Sequence, residues 1–70
     1  MKGANMFYEF TITLENQMTD ETMKFNKSIP YGVHYLDAWK QVSQIAFEAL
    51  DALEVPDKHY WYIKSIEHRI

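Results

Sequence analysis

Strict alternation of apolar and polar residues opens the chain. From Met6 to Glu15, the residues Met6, Tyr8, Phe10, Ile12 and Leu14 share one parity, and Phe7, Glu9, Thr11, Thr13 and Glu15 share the other. A period of two with one apolar side predicts a strand that lays one face on a core. The next five residues, Asn16, Gln17, Met18, Thr19 and Asp20, are turn formers without an Asn-Gly or Asp-Gly pair, which predicts a loosely specified hairpin loop. Alternation resumes from Glu21 to Ile29: Met23, Phe25 and Ile29 oppose Thr22, Lys24, Asn26 and Ser28, with Lys27 the charged exception on the apolar side. An inward-pointing lysine near a strand end, followed by Pro30 with no N–H to offer a ladder, predicts a sheet edge.

After Tyr31 and Gly32 the period lengthens. Tyr35, Leu36, Trp39, Val42, Ala46, Ala49, Leu50 and Leu53 recur at three and four residues, the spacing of an amphipathic helix. Its expected span is about 34–54, with Asp37 in a first turn that favours negative charge, no Ser or Thr cap, and a stop before Pro56. Val55-Pro56-Asp57-Lys58 suits a type I turn. The last segment is dense in β-formers, Tyr60, Trp61, Tyr62, Ile63, Ile66 and Ile70, and predicts a third strand. Ile63 and Ile66 fall on opposite parities, so either a bulge intervenes or both faces carry apolar groups.

These elements predict one α+β domain over residues 1–70 in the order β-β-α-β, with strands at about 6–15, 21–30 and 59–69. A hairpin is not stable alone, so the third strand joins it. The simplest assembly is a three-stranded antiparallel sheet centred on the first strand. The helix then packs Trp39, Val42, Ala46 and Leu53 over Tyr8, Phe10, Ile12, Phe25 and either Trp61 or Ile63, leaving the other face of the sheet open. Residues 1–5 show no periodicity and are expected to be flexible.

Seventy residues, 47% hydrophobic and 16% aromatic, suffice for one small core, and large aromatic side chains offset its thin margin. With no cysteine the chain has no disulfide, thiolate metal site or redox pair, which suits a reducing compartment and points to the cytoplasm. Glu9 interrupts the place where an export signal would need hydrocarbon, and no run approaches the roughly 18 apolar residues of a membrane span.

Three histidines, His34, His59 and His68, stand 25 and 9 residues apart without helical ligand spacing, so neither metal nor cofactor is expected. Ser28, Ser43 and Ser65 lie outside any glycine-flanked nucleophile turn, and Gly3 and Gly32 form no phosphate loop. A fold of this size is also expected to have little room for a pocket of several hundred cubic ångströms. The chain therefore reads as a non-enzyme.

Charge is the most informative feature. Between His34 and Val55 four acids, Asp37, Glu48, Asp51 and Glu54, face one base, Lys40, which accounts for the entire net charge of -3. On a wheel of about 100° per residue, Asp37, Gln44, Glu48 and Asp51 fall on the side away from the core. Acids near a helix C-terminus oppose the dipole and, at spacings of three, one another. Placed there without visible compensation, Asp37, Glu48, Asp51 and Glu54 are candidates for docking a partner protein with a basic surface. The alternative is an ordinary solvated face helped by Lys58. Phe47 beside the apolar stripe, Phe7 on the polar parity of its strand, and Tyr60 with Tyr62 suggest exposed aromatics that join the docking surface. Alternatively the open sheet face is buried in a homodimer or larger homo-oligomer. Nucleic acid is disfavoured, since Glu9, Glu15 and Glu67 accompany Lys24, Lys64 and Arg69 on the strands.

The β-β-α-β order, the acidic helix, and the junction Ser28-Ile29-Pro30-Tyr31 running into Tyr35-Leu36-Asp37-Ala38 resemble small phage-encoded host-takeover proteins, inhibitors of bacterial RNA polymerase among them. The likeness covers the strand-helix junction and the topology, about half the chain. It implies a non-enzymatic inhibitor or modulator that binds a large host machine in the host cytoplasm. The basic strand residues of the polymerase inhibitors have no counterpart here, so neither target nor functional residue carries over.

Overall fold

A computed structural model describes residues 6–69; the expected flexibility of residues 1–5, and Ile70, lie outside them. The elements run β1 (Phe7–Asn16), β2 (Thr22–Pro30), α1 (Tyr35–Asp51), a single 3₁₀ turn (Lys58–Tyr60) and β3 (Trp61–Arg69). β1 is the central strand of an antiparallel sheet of order β2-β1-β3, the simplest assembly expected of the three strands. Tyr8, Phe10, Ile12 and Leu14 face α1, and Phe10, Ile12 and Leu14 form the core with Ile29, Ala38, Val42, Ala46 and Trp61. Three small or branched residues at i, i+4 and i+8 let the helix axis approach the sheet. No helix among the described residues is long and apolar enough to cross a membrane.

The slipped parity of β3 is a bulge. Thr13 pairs with Ser65 and Leu14 with Ile63, so Lys64 is the extra residue. One inserted residue turns Trp61 and Ile63, and beyond the bulge Ile66 and His68, toward the helix side. Both Trp61 and Ile63 therefore contribute to the core.

Several boundaries move for identifiable reasons. Asn16 belongs to β1 and is fully buried rather than sitting in the loop. Its Oδ1 accepts from the backbone N–H groups of Met18 (2.8 Å) and Thr19 (3.2 Å), and its backbone closes the turn through Asp20 N–H to Asn16 C=O at 2.8 Å. Asp20 takes a φ of 63°, the left-handed region that Asp tolerates better than most residues. The helix is shorter than 34–54. His34 is its N-cap, with Nδ1 accepting from Leu36 N–H at 3.3 Å in place of the missing Ser or Thr. At the other end Ala52 is the C-cap, and Leu53 N–H turns back to Leu50 C=O, so Leu53 packs on the core from a turn and Glu54 lies beyond the helix. Likewise the third strand starts at Trp61, because residues 58–60 are wound into the 3₁₀ turn.

The face of the sheet away from α1 is open and polar. Ser28 Oγ donates to Glu9 at 2.9 Å, Thr11 Oγ1 to Asn26 at 3.0 Å, and Tyr62 Oη to Glu15 at 3.0 Å, while Lys64 Nζ stands 2.8 Å from Glu15. The hydrogen bond from Lys64, then that from Tyr62, holds Glu15 below its usual carboxylate range, and the same contacts raise Lys64 and Tyr62. A depressed carboxylate stabilises the fold above its unfolded value and loses that contribution as pH falls through the folded value. Glu15→Gln is therefore expected to remove part of the acid sensitivity, so that melting temperatures of the two proteins converge between neutral and strongly acid solution. The raised Tyr62 and Lys64 act oppositely, their contributions being present below the unfolded values and lost as pH rises through the folded ones.

Candidate partner-binding surface

Packing Ala38, Val42 and Ala46 against the sheet sends the opposite side of α1 to solvent. Asp37, Gln44, Glu48 and Asp51 are all exposed there, as the wheel predicts. Gln44 Nε2 donates to Glu48 at 3.3 Å. Glu54 is also exposed, but in the loop after the helix. The like-charge spacing expected for Glu48, Asp51 and Glu54 on one helix is thus interrupted at Asp51.

The conflict between the acids and the helix dipole does not go uncompensated. Lys58 Nζ donates to the Asp51 carbonyl and stands 3.7 Å from the Asp51 carboxylate. Seven residues after the helix ends, it supplies the positive charge missing from the last turn. Asp37, Glu48 and Glu54 have no cationic partner within ion-pair distance among the described residues.

The aromatic candidates are not one patch. Phe47 lies on the helix flank and is 64% exposed. Tyr60 ends the 3₁₀ turn, with its carbonyl accepting from Gln17 N–H at 3.0 Å. Tyr62 is on the outer sheet face opposite Glu15, whereas Phe7 is at the far end opposite Pro30. Eight residue steps along β1 separate Phe7 from Glu15, about 26 Å at ~3.3 Å per step. Only Phe47 stands beside the helix acids.

One feature overturns a sequence expectation. Phe47, Leu50, Asp51, Lys58, His59 and Trp61 line an open groove of about 430 Å³. It lies where the helix stops at Asp51 and the chain passes through residues 52–57 before the 3₁₀ turn, beside the half-buried Leu50. Two segments that only the fold brings together make its walls.

The sequence also gave no sign of an aromatic cluster at the other end of the helix. Tyr8 meets Tyr31, Tyr35 and His68 at ring-centroid distances of 4.6, 5.3 and 5.8 Å, and Phe10 meets Trp39 and His68 at 5.0 and 5.1 Å. Tyr35 Oη and His68 Nδ1 are hydrogen-bonded at 3.2 Å, which ties the first turn of α1 to the end of β3. The signal for Tyr8 and Tyr35 was their apolar parity and stripe position; His68 joins them only through the bulge. Among the described residues no three His, Cys, Asp or Glu side chains are grouped to hold a metal ion.

Comparison with known protein families, curated proteins and solved structures finds no match to this chain.

Proposed function

We propose that this chain is a non-enzymatic binding module that docks a basic surface of a partner protein through the acidic side of α1. The observation that carries this reading is Phe47, a large aromatic left 64% exposed on the lining of the groove and next in sequence to Glu48, which has no ion pair among the described residues. Buried aromatics supply most of the affinity at protein interfaces, and surrounding charges supply steering and specificity. The contrast between the faces supports the choice. Glu9 and Glu15 on the outer sheet face already have partners, while among the described residues Glu48 is held only by a neutral amide and Glu54 has no ion pair. A homo-oligomer burying that sheet face would have to desolvate Glu9, Glu15, Lys24, Lys64, Glu67 and Arg69, so this alternative is the weaker one. Taken with the resemblance of the strand-helix junction, the reading extends to an inhibitor or modulator of a bacterial host complex.

The test is capture from a bacterial lysate by the wild-type chain, Phe47→Ala, and Glu48→Lys combined with Asp51→Lys, at low and moderate salt. One protein retained by the wild type is expected to weaken about tenfold with Phe47→Ala, to be lost with the double variant, and to fade with salt. A partner held equally by all three forms would sink the reading.

A further inference from the structure

We infer that a second copy of this chain fills the groove, through an antiparallel two-fold contact along the flank of α1 in which Leu36 of each copy enters the groove of the other. Leu36, Ser43 and Leu50 stand at i, i+7 and i+14, so they share one line down the helix that drifts only about 20° per heptad, the spacing of a seam between two helices. This line is not the one that packs on the sheet. At about 100° per residue it runs roughly 100° round the helix from Ala38, Val42 and Ala46. Its relief changes along its length. Leu36, 62% exposed, is a large apolar side chain that belongs neither to the core nor to the side chains packed against it. Ser43 in the middle is small and half-buried, which lets a second helix come close. At the far end the line runs into the groove, between Leu50 and Phe47 on the helix and Trp61 from β3.

Knob and hole stand at equal distances from the middle. Leu36 precedes Ser43 by seven residues and Leu50 follows it by seven, about 10.5 Å each way at ~1.5 Å per residue. A two-fold axis through Ser43 therefore sets Leu36 of each copy opposite Leu50 of the other, beside Phe47, and one self-complementary contact closes both grooves. A parallel pairing would set Leu36 against Leu36 and leave both grooves open. Asp37 and Glu48 lie more than about 100° round the helix from this line, so the contact does not press them together. The size of the contact sets its strength. Phe47, 64% exposed, and Leu36 offer on the order of 250 Å² of apolar surface per copy, taking an aromatic side chain as about 200 Å². At the usual apolar share of an interface, a little over half, the pair buries about 900 Å² in total, within the range of weak, transient complexes. The chain is thus a monomer when dilute and pairs toward millimolar concentration. Because Phe47 lies in this contact, a second copy and a partner protein docked on Phe47 exclude one another.

The experiment mixes ¹⁵N-labelled chain with an unlabelled copy carrying a nitroxide on Asp37→Cys, a single attachment point because the chain has no cysteine. At about 1 mM the nitroxide is expected to broaden amides of residues 47–51 and 58–61 in the other copy and to spare β2, and sedimentation is expected to show a mass that rises from monomer toward dimer between about 20 µM and 1 mM. Leu36→Asp is expected to weaken the pairing at least about tenfold with the β1 resonances, and hence the fold, unchanged, since an exposed acid in the first turn suits the helix dipole. A monomer at 1 mM, broadening centred on residues 35–40 or on the outer sheet face, or pairing that survives Leu36→Asp would each overturn the inference. The binding-module reading fails separately. A lysate partner lost on Phe47→Ala, beside a chain that stays monomeric, keeps that reading and discards the dimer; a dimer broken by Leu36→Asp, beside a partner indifferent to Phe47, Glu48 and Asp51, does the reverse.

Discussion

Phe10→Ala is expected to lower stability by about 3–5 kcal/mol, the largest effect of any single truncation in this molecule. Phe10 is completely buried in the central strand, and its ring meets Trp39 edge to face at 5.0 Å and the His68 ring at 5.1 Å. It thereby joins all three layers of contact: β1 itself, the helix through Trp39, and β3 through His68. A cavity there cannot collapse without moving the helix, because the small neighbours Ala38 and Ala46 are already in contact with the sheet. A domain of seventy residues has a total stability of about 4–10 kcal/mol. Urea melts of Phe10→Ala should therefore show a midpoint close to zero denaturant or no native baseline, with Phe10→Leu in between. A loss below about 1 kcal/mol would show that the helix does not rest on this ring.

Asn16→Ala is expected to cost about 2–4 kcal/mol through polar groups rather than volume. Besides accepting from Met18 and Thr19, the fully buried Asn16 donates from Nδ2 to Asp57 Oδ2 at 2.6 Å, and Trp61 Nε1–H reaches the other Asp57 oxygen at 3.4 Å. One amide thus organises the hairpin turn and the connection that leads into β3. Truncation leaves two turn N–H groups without their acceptor and a part-buried carboxylate without its shortest hydrogen bond. Denaturant melts measure the loss, and amide exchange should localise it to residues 17–20 and 57–61. Asn16→Asp keeps the acceptor for the turn but sets a second carboxylate against Asp57, so its deficit should shrink in acid, where one of the pair takes a proton. A deficit for Asn16→Asp that grows in acid would contradict the proposed contact.

Why the strands were legible and the surface was not follows from the range over which each signal acts. Alternation along β1 is local, and so is its parity, since Tyr8, Phe10, Ile12 and Leu14 cannot all face water; its central place came from the simplest way to join three strands. The slip between Ile63 and Ile66 was visible but ambiguous, because a bulge and a doubly apolar strand leave the same trace until Ile12 and Leu14 are seen opposite them. Leu53 misled the helix boundary: a side chain that packs on the core from a turn keeps the helical spacing without the helical backbone. Asn16 looked like a turn former because its role, accepting from the turn, is local, whereas its burial depends on Asp57, 41 residues away. Exposure of Asp37, Glu48 and Asp51 could be read from the wheel. The return of Lys58 to the last turn, and the groove that this return encloses with Phe47 and Trp61, depend on the path of the chain between them.

The register of the sheet also determines how the molecule yields to force. Glu9 near the start of β1 lies directly opposite Arg69 at the end of β3, so the chain enters and leaves the sheet side by side. Tension between those two points acts along the hydrogen bonds and opens the β1–β3 ladder one rung at a time, as a zipper, rather than shearing all rungs together. The rungs part first at Glu9 and Arg69, the clasp between Tyr35 and His68 goes with them, and the hairpin end secured by Asn16 and Asp57 parts last. Pulled in this way, the domain is mechanically soft whatever its thermodynamic stability.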